Sequence, residues 1–407
     1  MNETTLPTAN LLDAGFSDED REVVALAHRF AVEVMRPAGQ TLDRLADPAD
    51  VIAPESILWE VLDRYEETGL GDASGAEAGA DPVGRARLAA AVSEEMSWGD
   101  VGLAITCGMT RFAAPWIQMS GNDGLIARYC APGVRTIGCW ALTEPDHGSD
   151  TVSFTQDHFR DGALRANCVA RRDGDEFVIS GQKAAWVSLG SIADVITLFC
   201  TVEQERGFAG GGVFVVPSDL PGVERPRPTD KLGQRSLNQG EIYFHDVRVP
   251  ADHMVIGPDL YPMALEGMLT QGNAGMSQLF VGVARAAYDL ALDYARERVQ
   301  GGRRIIEHQS VQARLFDMFR RVEAARALSR RVVEYQATAQ LPFQYAVAAK
   351  TFVTDTAFEV SSAALQIFGG NGLTREYPIE KVMRDARASM IEDGCNEVLS
   401  LVAAARL

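Results

Sequence analysis

Three carboxylates stand within nine residues near the end of the 407-residue sequence: Glu392, Asp393 and Glu397 in MIEDGCNEV, residues 390–398. A carboxylate can take a proton from carbon if burial lifts its pKa toward the working pH. Adjacent Glu392 and Asp393 point apart on an extended or a helical backbone, so only one is expected to face a substrate. Taken alone, such a pair is a solvated acidic turn. WALTEPDHGSD, residues 140–150, gathers Thr143, His147 and Ser149 after an apolar start and reads as a strand running into a hydrogen-bonded turn. GQKAAWVSLG, 181–190, sets Trp186 close to Ser188 in a strand-like run, ordinarily a packing arrangement. ARERVQGG offers Arg298, a planar cation suited to an anionic diester. QIFGGNG places Gly369 and Gly370 after a helical stretch, where glycines usually cap.

These residues need elements to hold them. Residues 17–36, SDEDREVVALAHRFAVEVMR, open with Ser17 and Asp20 at capping-box spacing and put Val23, Leu26, Ala27, Phe30 and Val34 on one face, with Pro37 following. IAPESILWEVLDRYEETG and GRARLAAAVSEEMSW repeat the amphipathic pattern. After about residue 135 come short runs rich in Val, Ile and Phe: EFVISGQ, DVITLFCTV, GGVFVVPS and EIYFHDVRV. GFAGGG, 207–212, reads as a flexible turn between two of them. Helical periodicity resumes near residue 258 in stretches long enough for a bundle. The expected fold is therefore α+β: an N-terminal all-α domain (1–136), a middle antiparallel β-domain (137–250) and a C-terminal four-helix bundle (251–407). Without strand-helix alternation, a doubly wound nucleotide-binding sheet is excluded.

The net charge of −18 repels phosphate backbones and anionic membranes, so nucleic acid is not an expected partner. Six scattered cysteines form no CxxC pair, and no histidine stands at ligand spacing, so neither a metal site nor a disulfide framework is expected. MNETTLPTANLLDAG lacks a basic segment followed by an apolar run, and no apolar stretch approaches the ~20 residues of a membrane span. A cytoplasmic protein is expected, with disorder confined to the first ten or so residues.

Five stretches, WALTEPDHGSD, GQKAAWVSLGSIAD, DKLGQRSLNQGEIYFHDVRVP, ARERVQGG with EHQSVQ, and QIFGGNGLTREYPIEKVMRDAR, occur in an order and at separations that resemble the acyl-CoA dehydrogenase family from about residue 20 to the end. The resemblance implies FAD bound between the strand lobe and the bundle, and removal of hydrogens from the α and β carbons of an acyl thioester, carried by CoA or a carrier protein. An electron-transfer flavoprotein is the implied reoxidant. Many members carry Tyr-Glu-Gly-Thr near the C-terminus, the Glu being the base. Counting from Arg384, Asp385 and Ala386, that Glu falls on Asp393 and the Tyr on Glu392; Gly394 is kept and Cys395 replaces Thr. The implied base is Asp393, one methylene shorter than usual, with Glu392 as its rival.

By the same resemblance Trp140, Leu142 and Thr143 lie along the flavin ring, and Ser149 reaches the flavin phosphate or the CoA arm. Trp186 and Ser188 cover the ring's other side, although one extra residue follows Lys183. Arg298 pairs with the pyrophosphate, with Gly301 standing where the family has Phe. Gln309, Gln366, Gly369 and Gly370 contact the FAD of a neighbouring subunit, which implies a homo-oligomer, at least a dimer and in expectation a tetramer. Cys395 and Glu397 are further expected cofactor contacts. His147 at the thioester entrance, Gly394 and Asn273 are expected substrate contacts. Some members carry the base on the first long bundle helix; here Gln271, Gly272 and Asn273 stand at that place and none is acidic. A short, branched or cyclic acyl group is the expected substrate, with a flavin oxidase or monooxygenase, or a non-catalytic binding protein, as alternatives on the same fold.

Overall fold

The computed structural model describes residues 11–72 and 81–407; the expected disorder of the first ten residues lies outside the described residues. α1 (Asp18–Phe30) begins with the complete capping box: Asp20 N–H donates to Ser17 Oγ, and Asp20 accepts from the Ser17 N–H at 2.9 Å. Pro37 does not end the helix. The chain passes through a π-helical turn, Ala31–Met35, and continues as α2 (Arg36–Asp43), so the widened turn directly precedes the proline, which has no N–H to donate. α3 (Ile57–Thr68) stops at Gly69, in the left-handed region at φ +66°. α4 (Pro82–Gly99) departs from the expected one-sided pattern, because Glu94 and Glu95 are both buried. They pair with Arg285 and Arg326, so α4 is a helix between layers rather than at the surface. α5 (Val101–Met109), α6 (Ala113–Ser120) and α7 (Asp123–Tyr129) complete this helical region.

The central sheet contains β1 (Gly138–Ala141), β2 (Val169–Asp173), β3 (Glu176–Ser188), β4 (Val195–Thr201), β5 (Gly211–Pro217), β6 (Val223–Glu224), β7 (Gln239–Pro250) and β8 (Met254–Ile256). Its order is β6-β7-β3-β2-β4-β5-β8, with β1 on β4. The sheet is mixed rather than purely antiparallel: β1 runs parallel to β4. The two are joined through the β2–β3 hairpin instead of a tight turn, which permits the same direction. On β3, Lys183 pairs with Ile242 and Val187 with Gly240, so β3 carries two more residues than β7 in this interval. The ladder is interrupted by a bulge at this point. The GFAGGG turn is packed rather than loose. Gly207 through Gly210 are buried, and a Cβ at Gly211 would lie 2.5 Å from the Tyr261 ring.

The bundle consists of α8 (Tyr261–Glu297), α9 (Gln309–Gln336), α10 (Phe343–Phe368) and α11 (Ile379–Ser389), followed by α12 (Asn396–Ala404). A hairpin, β9 (Val299–Gln300) and β10 (Arg303–Arg304), links α8 to α9. Phe280, Ala284, Ala287 and Ala291 of α8 pack with Val322 of α9 and Val353, Ala357 and Ala364 of α10. The small residues let α8 and α10 approach closely. Among the described residues, no helix is long and apolar enough to cross a membrane.

Candidate active site

A cavity of about 440 Å³ opens where α3, α4, α5 and α8 meet, lined by Tyr65, Met96, Ile105, Phe112, Ser188, Gly272 and Met276. Glu392 and Asp393 also line it. They belong to the turn between α11 and α12, in which Asp393 (φ +51°) and Gly394 (φ +92°) are both left-handed. That backbone is neither extended nor helical, so the two side chains do not diverge as expected, and both open onto the cavity. Asn396 N–H bonds to Met390 O at 3.0 Å across the turn's base.

The two acids have different surroundings. Asp393 has no hydrogen-bond partner among the described residues and faces the bare backbone of Gly272. A Cβ at Gly272 would stand 3.8 Å from Asp393 Oδ2 and 3.8 Å from Trp140 Cζ3. Burial raises the Asp393 pKa, against the Lys350 charge. Burial also pushes Glu392 up to about 7, reinforced by the Asp393 charge and opposed by the neighbouring Gln234 side chain and the charges of Lys231 and Lys350. Glu392 thus lies among Gln234, Lys231 and Lys350, whereas Asp393 has the Lys350 charge as its polar influence.

The two polar stretches of the sheet meet at this site. Thr143 O accepts from Ala184 N–H at 2.9 Å, and Leu142 O accepts from Lys183 Nζ at 2.9 Å. Lys183 is fully buried and pairs with Glu144 at 2.6 Å, fastening the first stretch to β3. Trp140 lies between Phe112 (6.1 Å, stacked) and Phe199 (5.6 Å), with its Nε1 buried and unpartnered among the described residues. Trp186 is 60% exposed. Ser188 Oγ accepts from Gln239 Nε2 at 3.1 Å, and Lys231 Nζ donates to Gln239 Oε1 at 2.9 Å. Ser149 Oγ accepts from Cys395 N–H at 3.0 Å, joining the WALTEPDHGSD stretch to the acidic turn. His147 Nδ1 lies 2.8 Å from Asp150 Oδ2, and its ring meets Phe208 edge-on at 5.2 Å.

Other expected residues lie elsewhere. Asn273 is fully buried and donates to Leu269 O at 2.7 Å, and it is Gly272 and Gly275 that face the cavity. One helical step turns a side chain by ~100°, which carries Asn273 away from the opening. Glu266 pairs with Arg406 at 2.6 Å. Glu397 is exposed in the first turn of α12. Arg298, at the end of α8, is exposed, as are Gln309 at the start of α9 and Gln366, Gly369 and Gly370 at the end of α10. Tyr294 stacks on Phe368 at 4.1 Å and accepts from Asn371 Nδ2 at 3.0 Å, so Arg298 and the glycine run share one end of the bundle, away from the acidic turn.

The sequence reading passed over Gln234, Lys231 and Lys350. For Lys350 a signal exists: it is a lone cation among Ala346, Ala349, Val353 and Ala357, all on the buried face of α10. Gln234 and Lys231 sit in a loop whose path only the assembled fold defines.

Residues 139–247 match the family described as Acyl-CoA dehydrogenase, middle domain, and residues 263–407 match Acyl-CoA dehydrogenase, C-terminal domain. The chain is 34% identical over 319 residues to the mitochondrial short-chain specific acyl-CoA dehydrogenase of Bos taurus, covering 77% of this chain and 74% of that protein. It is 33% identical over 263 residues to cyclohex-1-ene-1-carbonyl-CoA dehydrogenase of Geobacter metallireducens, covering 64% and 66%. The structure of butyryl-CoA dehydrogenase from Megasphaera elsdenii superposes with a TM-score of 0.81 at 27% identity, over 96% of this chain and 98% of that one.

Proposed function

The chain belongs to the acyl-CoA dehydrogenase family, and from that premise we propose that it is an FAD-dependent enzyme that dehydrogenates a short, branched or cyclic acyl thioester with Asp393 as the α-proton base. The observation that carries this reading is the Asp393 carboxylate, unpartnered in a cavity that raises its pKa. A base kept free of protein hydrogen bonds and partly desolvated is the stronger for it. Its arm is one methylene short, and Gly272 compensates: with no side chain there, the substrate α-carbon can come down toward the carboxylate. The short-chain and cyclohexene-carbonyl relatives support a compact acyl group.

In this reading Trp140, Leu142, Thr143, Trp186 and Ser188 hold the flavin ring, and the orphaned Trp140 Nε1 and outward Trp186 fit a flat, hydrogen-bonding partner. When bound, FAD supplies the acceptor for the β-hydride. The chain's own residues place the thioester, exclude water along Met96, Ile105, Phe112 and Met276, and hold the abstracted proton on Asp393 Oδ2. Ser149, Gly394, Cys395 and Glu397 lie on or near the turn that presents the base, and His147 belongs to the same loop as Ser149. Arg298 pairs with the cofactor pyrophosphate, and Gln309, Gln366, Gly369 and Gly370, exposed and away from this chain's own cavity, serve the cofactor of a neighbouring copy, so the working unit is a homo-oligomer, a dimer at least and a tetramer in full. An electron-transfer flavoprotein takes the electrons onward, and the cytoplasm is the proposed location.

The test is anaerobic flavin bleaching in a stopped-flow instrument with butyryl-, isobutyryl- and cyclohexanecarbonyl-CoA. Asp393→Asn is expected to slow reduction by about 10²- to 10⁴-fold, the usual weight of a general base, while Glu392→Gln retains most of the rate. Reduction of Asp393→Asn at the wild-type rate would overturn the assignment.

A further inference from the structure

Lys350 is fully buried on α10, yet no carboxylate lies within ion-pair distance of it among the described residues. Its Nζ donates to two neutral acceptors, Gly394 O at 2.9 Å and Asn396 Oδ1 at 2.8 Å. Asn396 is held in turn by donating to Thr354 Oγ1 at 3.0 Å and Asp355 Oδ1 at 2.9 Å, both on α10. A buried cation without a contact counter-ion is costly, so the charges around it must hold it. Burial pushes the Lys350 pKa down to about 8, and the carboxylates that oppose this are Asp393 first, then Glu392 and Asp355.

The hydrogen bonds converge on one peptide unit. Lys350 takes the carbonyl of the Gly394–Cys395 peptide, and Ser149 Oγ accepts from the N–H of the same peptide at 3.0 Å. This clamp follows directly on Asp393, a non-glycine residue at φ +51°, and Gly394 at φ +92°. Left-handed backbone at a non-glycine residue persists only where the surroundings fix it.

We propose, resting on Asp393 as the base, that Lys350 is a positioning residue for it: Lys350 locks the turn through the Gly394 carbonyl and keeps a positive charge within reach of the Asp393 carboxylate, holding it ionised in a cavity that favours the neutral acid. The groups acting on the pair from neighbouring elements are Glu392 on the same turn, Asp355 on α10 and, through Glu392, Lys231 on the loop before β7. A purely structural lysine would support folding and leave the titration of the base unmoved.

The pH profile of flavin reduction separates the two roles. Lys350→Met and Lys350→Gln are compared with wild type and with Asp393→Asn, with flavin content and urea midpoints measured on each. Lys350→Gln keeps a donor for the turn while removing the charge, and carries the test if Lys350→Met does not accumulate as folded protein. Loss of the cation leaves Asp393 easier to protonate, so the acid limb of the rate profile is expected to move up by about one pH unit or more. An unmoved acid limb in a variant with wild-type flavin content, with Asp393→Asn inactive, overturns the role of Lys350 and leaves the base in place. An active Asp393→Asn removes the base itself, and the role of Lys350 with it.

Discussion

Glu392 and Asp393 are separated by their partners rather than by their burial. Glu392 is lifted from 4.5 to about 7 by desolvation, with Gln234 and the two lysines acting against it. In the native state it therefore keeps a proton that the unfolded chain has released. Its contribution to stability is fully present below about 4.5 and is lost as pH rises through about 7. Glu392→Gln fixes the neutral form, so the wild-type fall in urea midpoint between pH 5 and pH 8 is expected to flatten in this variant. An equally steep fall in Glu392→Gln would show that some other group titrates. Activity answers the other half: with Asp393 as the proposed base, the same substitution is expected to spare flavin reduction.

The turn between α11 and α12 shows how far an element can be read from its letters. MIEDGCNEV gives the acids and the glycine, and the capping box of α1 was legible because both of its members lie within one helical turn. The strands of the middle region were legible for the same local reason. What was not legible depends on distant partners. The left-handed backbone at Asp393 is held by Lys350 and Ser149, 43 and 244 positions away by the sequence numbering. The parallel β1–β4 pair, the inward turn of Glu94 and Glu95 and the burial of Asn273 are likewise set by packing that no window of ten residues contains. At Gly394 the letter and the conformation agree, and substitution tests both. A Cβ at φ +92° is strained in itself and would also stand 3.0 Å from Leu399 Cδ2. Gly394→Ala is expected to lower stability by about 1–3 kcal/mol, read as a lower urea midpoint, and to slow flavin reduction by displacing Asp393. A variant of wild-type stability and rate would mean that the turn relaxes freely.

At the scale of the molecule, the helical region, the sheet and the bundle meet at one buried ionic cluster. Asp100 caps α5 by accepting from Leu103 N–H at 2.9 Å, and it also accepts from Ser236 Oγ at 2.6 Å in the loop before β7. Lys381 on α11 bridges Asp100 and Asp385, 2.6 Å from each, and Asp385 accepts from the Gln234 N–H. Gln234 also acts on the Glu392 carboxylate, so the cluster that joins the three regions borders the site. Two buried aspartates sharing one lysine leave no spare cation. Burial already raises the Asp385 pKa, and the Asp100 charge adds to this while Lys381 opposes it. In Lys381→Met the two carboxylates face each other without a counter-charge, and breaking a buried pair in this way is expected to cost about 3–5 kcal/mol at pH 7. The penalty should shrink as pH falls, because a proton on Asp385 relieves the repulsion in the folded state more than it helps the unfolded chain. Urea unfolding at pH 7 and pH 5 measures both quantities. A loss that is equal at the two pH values would assign the cost to packing around the lysine stem, whereas a smaller loss at pH 5 identifies charge as what holds the three regions together.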